Sequence, residues 1–100
     1  MTSRPASETL QVGGIELSPS RRTVRVEGQE LKLTLREFDL LEYLMRKPGV
    51  VFTRDRLLSE IWGTDYDGET RTVDMHVKAL RQKLGEDVIT TVRGVGYKMS

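Results

Sequence analysis

Cysteine is absent from the 100 residues, and histidine occurs once. Disulfides and thiolate metal sites are therefore excluded, and a lone imidazole with neither thiolates nor a second histidine makes a poor metal site. No apolar run approaches the roughly 20 residues needed to span a bilayer, and the N-terminus has no signal-type apolar stretch. No phosphate-cradling glycine loop precedes a lysine, and no paired carboxylates sit in an apolar setting. The string "RGVGY" is only the end of a GxGxxG-like pattern and lies in a hairpin, where it cannot open a helix. These absences point to a soluble, cytoplasmic domain that is not an enzyme, carries no cofactor or metal, and has no membrane partner.

What remains is one domain's worth of chain, just long enough to bury a modest core. Net charge is +1, but it is unevenly spread: residues 1–69 hold 10 Lys/Arg against 12 Asp/Glu, and residues 70–100 hold 6 against 3. A basic final third on a near-neutral chain fits a localised anion-binding face, and it also fits chance. "MTSRPASET" is small, polar and aperiodic, so residues 1–9 are expected to be a flexible leader or linker remnant, with the folded domain over residues 10–100.

From Leu10 to Leu33 short apolar/polar alternations, "LQV", "IELSPS", "RTVRV" and "ELKL", are separated by "GG", "SPSR" and "EGQE". They predict four antiparallel strands with one buried face. At Thr34 the period changes. "TLRE" has the capping-box spacing, with Leu33 and Phe38 placed as a hydrophobic staple. The first helix carries Phe38, Leu41, Leu44 and Met45 and ends at "KPG". "VVF" reads as a short strand or extended link, and Thr53 caps a second helix that stops at Gly63. After the polar loop "TDYDGE" a third helix runs from Thr70 or Arg71 to Leu84. Two β segments follow over residues 89–100, forming a hairpin with Gly94 and Gly96 expected at its tip. This α+β order, a four-stranded antiparallel sheet, three helices and a C-terminal β-hairpin wing, is that of a winged helix-turn-helix.

In "RTVDMHVKALRQKL" the residues Val73, Val77, Leu80 and Leu84 fall within about 60° of arc and form a core stripe. Arg71, Met75, Lys78 and Gln82 then point outward. Thr72, His76, Ala79 and Lys83 lie on one flank, with Asp74 and Arg81 on the other. A solvated face would normally mix Glu with Lys, yet no Glu occurs from Arg71 to Leu84. Arg, Lys, Gln and Thr donate to phosphates and base edges, and Met and Ala can meet thymine methyls. The face alone fits either a solvated surface or a DNA-reading one. His76 fits a phosphate or base contact as well as a partly buried structural role. In "TVRGVGY" the turn would lift Arg93 toward a minor groove, or form a plain hairpin with an exposed Arg.

The segments "LTLREFDLLEYLM", "VFTRDRLLSEIWG", "RTVDMHVKALRQKL" and "TVRGVGYK", in order and with compatible spacing, cover about nine-tenths of the chain. On these the sequence resembles the DNA-binding effector domain of bacterial two-component response regulators of the OmpR/PhoB class. The resemblance implies sequence-specific duplex DNA binding that controls transcription, with helix 70–84 in the major groove and the wing at the minor groove. The implied recognition-helix set is Arg71, Thr72, Met75, His76, Lys78, Ala79, Arg81 and Gln82. The implied wing set is Thr91, Arg93 and Gly94, with Tyr97 as a supporting aromatic. Trp62 and the loop residues Thr64, Asp65, Tyr66, Asp67 and Glu69 match a segment that touches RNA polymerase in relatives. A receiver domain would belong to the full-length protein. The isolated chain is expected to be monomeric, with tandem half-sites as its DNA partner. Ala79 departs from the pattern, standing where many relatives have a basic residue.

Two other readings exist. Asp65, Asp67 and Glu69 alternate as in a calcium loop, but the closing Glu of that pattern is missing and a solvated loop is the simpler account. A winged helix used only for protein interaction would need an apolar outer face on the third helix, where only Met75 and Ala79 qualify.

Overall fold

The computed structural model describes residues 9–100, so the leader assigned to residues 1–9 lies outside the described residues apart from Thr9. The chain opens with β1 (Leu10–Val12), β2 (Ile15–Ser18), β3 (Thr23–Val26) and β4 (Gln29–Leu31). They pair antiparallel in sequence order, with Leu17 opposite Val24 and Val24 opposite Leu31. Alternation turns Ile15, Leu17 and Val24 inward and leaves Glu16 and Arg25 in solvent. The β3–β4 turn places Glu27 (φ 52) and Gly28 (φ 84) both at positive φ, as a type I′ hairpin requires. The fourth strand lies one to two residues earlier than the alternation suggested. Lys32 and Leu33 leave the ladder, and Leu33 packs against the core just ahead of the first helix.

The first helix, α1 (Leu35–Met45), has its capping box complete: the Glu37 amide donates to Thr34 Oγ1 and the Thr34 amide to Glu37 Oε1. Its apolar side sinks Phe38, Leu41, Leu44 and Met45 into the core. The segment β5 (Phe52–Thr53) is a true strand, and Thr53 also caps α2 (Arg54–Trp62) by accepting from the Arg56 amide. Then come α3 (Arg71–Leu84), β6 (Ile89–Val92) and β7 (Gly96–Met99). The hairpin thus gains a third strand, in the order β5-β7-β6.

The two wing glycines do not share the tip, contrary to the sequence expectation. Gly94, at φ 77, occupies the tip turn, closed by the Val95 amide donating to the Val92 carbonyl. Gly96 is not at the tip. It is buried in β7 opposite Thr53, and any Cβ there would overlap the Phe52 carbonyl. Its role is close backbone approach between strands rather than a left-handed turn.

One core joins all parts: Leu17 and Val24 from the first sheet, Leu40, Leu41 and Leu44 from α1, Leu57 from α2, and Val73, Val77 and Leu80 from α3 with Ile89 and Met99 from the wing. No helix among the described residues is long and apolar enough to cross a membrane.

Candidate nucleic-acid interface

The helix α3 buries Val73, Val77, Leu80 and Leu84, so the direction of its remaining faces is fixed. Arg71, Met75, Lys78 and Gln82 are all exposed, and Met75 keeps 61% of its surface. Among the described residues neither Arg71 nor Lys78 has an ion-pair partner. Thr72 and Ala79 are half-buried on the flank. A helix has only one stripe to give to the core; here the opposite stripe carries unneutralised cations around one exposed thioether.

His76 is fixed in place. Its Nδ1 lies 2.8 Å from the Thr72 carbonyl, so that nitrogen carries the proton and donates. Its ring meets Trp62 edge-on, with centroids 4.8 Å apart. These contacts hold the ring half-buried on the flank of α3. Trp62 in turn stacks near Tyr66, at 6.4 Å, and the Tyr66 ring lies over Gly68, where a Cβ would collide with it. The loop after α2 is thereby anchored to α3 through rings. Thr64, Asp65, Asp67 and Glu69 are exposed along it. Asp65, Asp67 and Glu69 do not converge into a metal-ligating group; no such group of three exists among the described residues.

The other flank of α3 faces the wing. Arg81 donates through Nε and Nη2 to the Ile89 carbonyl, at 3.1 and 2.8 Å, and through Nη2 to Thr91 Oγ1 at 2.7 Å. Asp74 accepts two hydrogen bonds from Arg54 at the start of α2, at 3.1 and 2.8 Å, and one from the Tyr97 hydroxyl at 2.7 Å. Tyr97 is only 8% exposed. Burial, and then the bond and negative charge of Asp74, push its hydroxyl up to about 12. The aromatic therefore supports the wing from within. At the tip, Arg93, Gly94 and Val95 are exposed, and Arg93 has no ion pair among the described residues. A cleft of about 190 Å³ lies between wing and helices, lined by Arg54, Asp74, Thr91, Gly94, Val95 and Tyr97 among others.

Arg54 and the bonding of Asp74 were not apparent in the sequence. The available signal was that Asp74 is the sole acid within α3: a carboxylate inside an otherwise basic helix implies a cation held by it.

The profile of the family described as "Transcriptional regulatory protein, C terminal" matches residues 28–99. The sensory transduction protein RegX3 of Mycolicibacterium smegmatis is 48% identical over 95 residues, covering 90% of this chain and 42% of the relative. The chain therefore spans about two-fifths of the length of that relative. The Klebsiella pneumoniae RstA DNA-binding domain, solved in complex with the RstA box, superposes with a TM-score of 0.83 at 34% identity, covering 93% of this chain and 97% of that one. The Thermotoga maritima response regulator DrrB, described as an OmpR/PhoB homolog, gives 0.84 at 29% identity over 92% of this chain and 44% of its own. With strand order, helices and wing in common and the profile matched over residues 28–99, the chain belongs to the C-terminal domain family of transcriptional regulatory proteins, in its OmpR/PhoB response-regulator branch.

Proposed function

We propose that the chain is a sequence-specific duplex-DNA-binding effector domain of a transcriptional regulator, with α3 in the major groove and the wing at the adjacent minor groove. The observation that carries this reading is the outward face of α3, where Arg71 and Lys78 lie exposed and unpaired among the described residues, with Arg93 equally unpaired on the wing. Cations that the fold leaves without partners suit phosphates and guanine edges. Arg71, Lys78 and Gln82 are assigned to hydrogen-bonded contacts, Met75 and Ala79 to thymine methyls, and Thr72 and Thr91 to the backbone. Arg93 and Gly94 lie at the minor groove. Arg81, Tyr97 and His76 act from behind this surface. With Ala79 in place of a basic residue, one position of the half-site is read by a methyl contact or left unread. The similar RstA domain, crystallised with its DNA box, supports the same use of the fold here.

The remaining partners follow the family. The loop over residues 63–69, carrying Thr64, Asp65, Tyr66, Asp67 and Glu69 beside Trp62, is assigned to RNA polymerase. The regulator works in the cytoplasm, with a receiver domain in the full-length protein, while the isolated domain is a monomer binding tandem half-sites. A protein-only interaction module is disfavoured because Met75 is the one large apolar side chain exposed on the outward face.

The test is a titration against duplexes selected by the chain from a random pool, repeated across salt concentrations. Each phosphate contact should contribute about −0.9 to the log–log slope. Lys78→Ala and Arg71→Ala should each weaken binding by about 1–3 kcal/mol where they reach bases. A salt-independent affinity, or unchanged affinity for both variants, refutes the assignment.

A further inference from the structure

Among the described residues no backbone hydrogen bond joins α3 to β6 or β7. The helix and the wing are nevertheless the two parts that must present a fixed separation to a duplex. Beyond the apolar core they share, they are linked by two side-chain clasps, both springing from the same flank of α3 and two turns apart. Asp74, in the first turn, takes the Tyr97 hydroxyl of β7 at 2.7 Å while gripping Arg54 of α2 with both oxygens. Arg81, two turns on, holds the Ile89 carbonyl and the Thr91 hydroxyl of β6. Its guanidinium also lies 5.8 Å from the Tyr97 ring centre, so both clasps converge on the same tyrosine.

We infer that Asp74 and Arg81 are positioning residues that set the distance and angle between recognition helix and wing, so that major- and minor-groove contacts are made together. The inference rests on the DNA-binding reading above. Its chemistry is specific. Arg81 spends its donors on Ile89 and Thr91, so its charge reaches the duplex only secondarily. Asp74 is an anion on a DNA-facing helix, a position that repels phosphate unless its charge is neutralised, and Arg54 neutralises it. Arg54 remains 47% exposed along its side chain. The Arg54–Asp74 pair thus removes a repulsive charge, while the Tyr97 hydroxyl on the same carboxylate ties the wing to α3. Each clasp uses a planar or bidentate group, which constrains angle as well as distance.

The experiment is a set of double-mutant cycles on the whole chain, with a duplex selected by the unaltered chain as the probe. In the unaltered chain, Arg93→Ala on the wing and Lys78→Ala on the helix should each cost roughly tenfold in affinity. In a chain carrying Tyr97→Phe with Arg81→Gln, which keeps side-chain bulk but opens both clasps, the Lys78→Ala factor should persist. The Arg93→Ala factor should fall below about twofold, because an unpositioned wing has little contact left to lose. A general loss of fold would diminish both factors together. The single variants Tyr97→Phe and Arg81→Gln give intermediate factors and serve if the double variant fails to unfold cooperatively. An Arg93→Ala factor unchanged by opening the clasps overturns the inference and leaves the DNA reading standing. If neither Arg93→Ala nor Lys78→Ala costs affinity in the unaltered chain, both fall.

Discussion

Glu37 serves two elements at once. It is only 5% exposed, its carboxylate closes the α1 capping box on the Thr34 amide, and Lys83 of α3 donates to the same Oε1 at 2.7 Å. Burial alone would raise its pKa, but the Lys83 bond, the Thr34 amide and nearby positive charge outweigh it and hold it below the usual carboxylate value. The unfolded chain then takes up the proton first as pH falls. The stabilisation is complete above the ordinary carboxylate range, at about pH 4, and is lost as pH drops through Glu37's lower value. Urea midpoints measured between neutral pH and strong acid should therefore decline for the parent chain. Glu37→Gln, less stable at neutral pH, should decline less steeply; parallel curves would contradict the assignment. Lys83, which the helical wheel placed on a flank with Ala79, is thereby bound inward to α1 as well as outward to solvent.

At the scale of elements, the two wing glycines answer different demands. Gly94 needs positive φ in an open turn, with nothing near where a Cβ would go. Gly96 needs the absence of a Cβ, because β5 crosses directly over it. Gly94→Ala should cost about 1 kcal/mol from left-handed strain. Gly96→Ala should cost upwards of about 3 kcal/mol or undo the β5–β7 pairing, since backbone cannot shift as a side-chain end can. Chemical denaturation of the two variants checks the ranking, and a Gly94 cost equal to or above that of Gly96 would reverse it. The pairing matters because Phe52 sits in the core opposite Tyr97 and fixes the strand from which the wing projects.

For the whole molecule, a ligand that binds only the folded form should stabilise it by mass action. A selected duplex at a hundredfold excess over its Kd should add roughly 2.7 kcal/mol to the unfolding free energy. Raising salt should shrink that gain, as the phosphate contacts proposed for α3 and the wing require. Thermal melts with and without duplex, at two salt concentrations, measure it. A gain that is absent, or indifferent to salt, would mean that the basic final third does not engage a polyanion. Three exposed acids on the loop after α2, at Asp65, Asp67 and Glu69, lie on a segment anchored through Trp62 and His76 to the same helix. The molecule thus offers surfaces of opposite sign from one rigid centre.

Local interactions made much of this legible from residue order. The capping box at Thr34 and Glu37, the core stripe of α3 and the alternation of β2 and β3 all depend on neighbours within four residues or on a fixed period, so the sequence by itself determined them. Family resemblance, carried by "RTVDMHVKALRQKL" and "TVRGVGYK", likewise lay in the residue string. The rest depended on contacts between distant segments. That Gly96 meets β5, that Asp74 joins Arg54 to Tyr97 across 20 and 23 residues, and that Lys83 reaches Glu37 across 46 are consequences of packing. Helical spacing assigns a side chain to a face but says nothing of what a loop or strand will bring opposite it. Only the tertiary structure decided which cations of α3 are held within the fold and which are left for a partner.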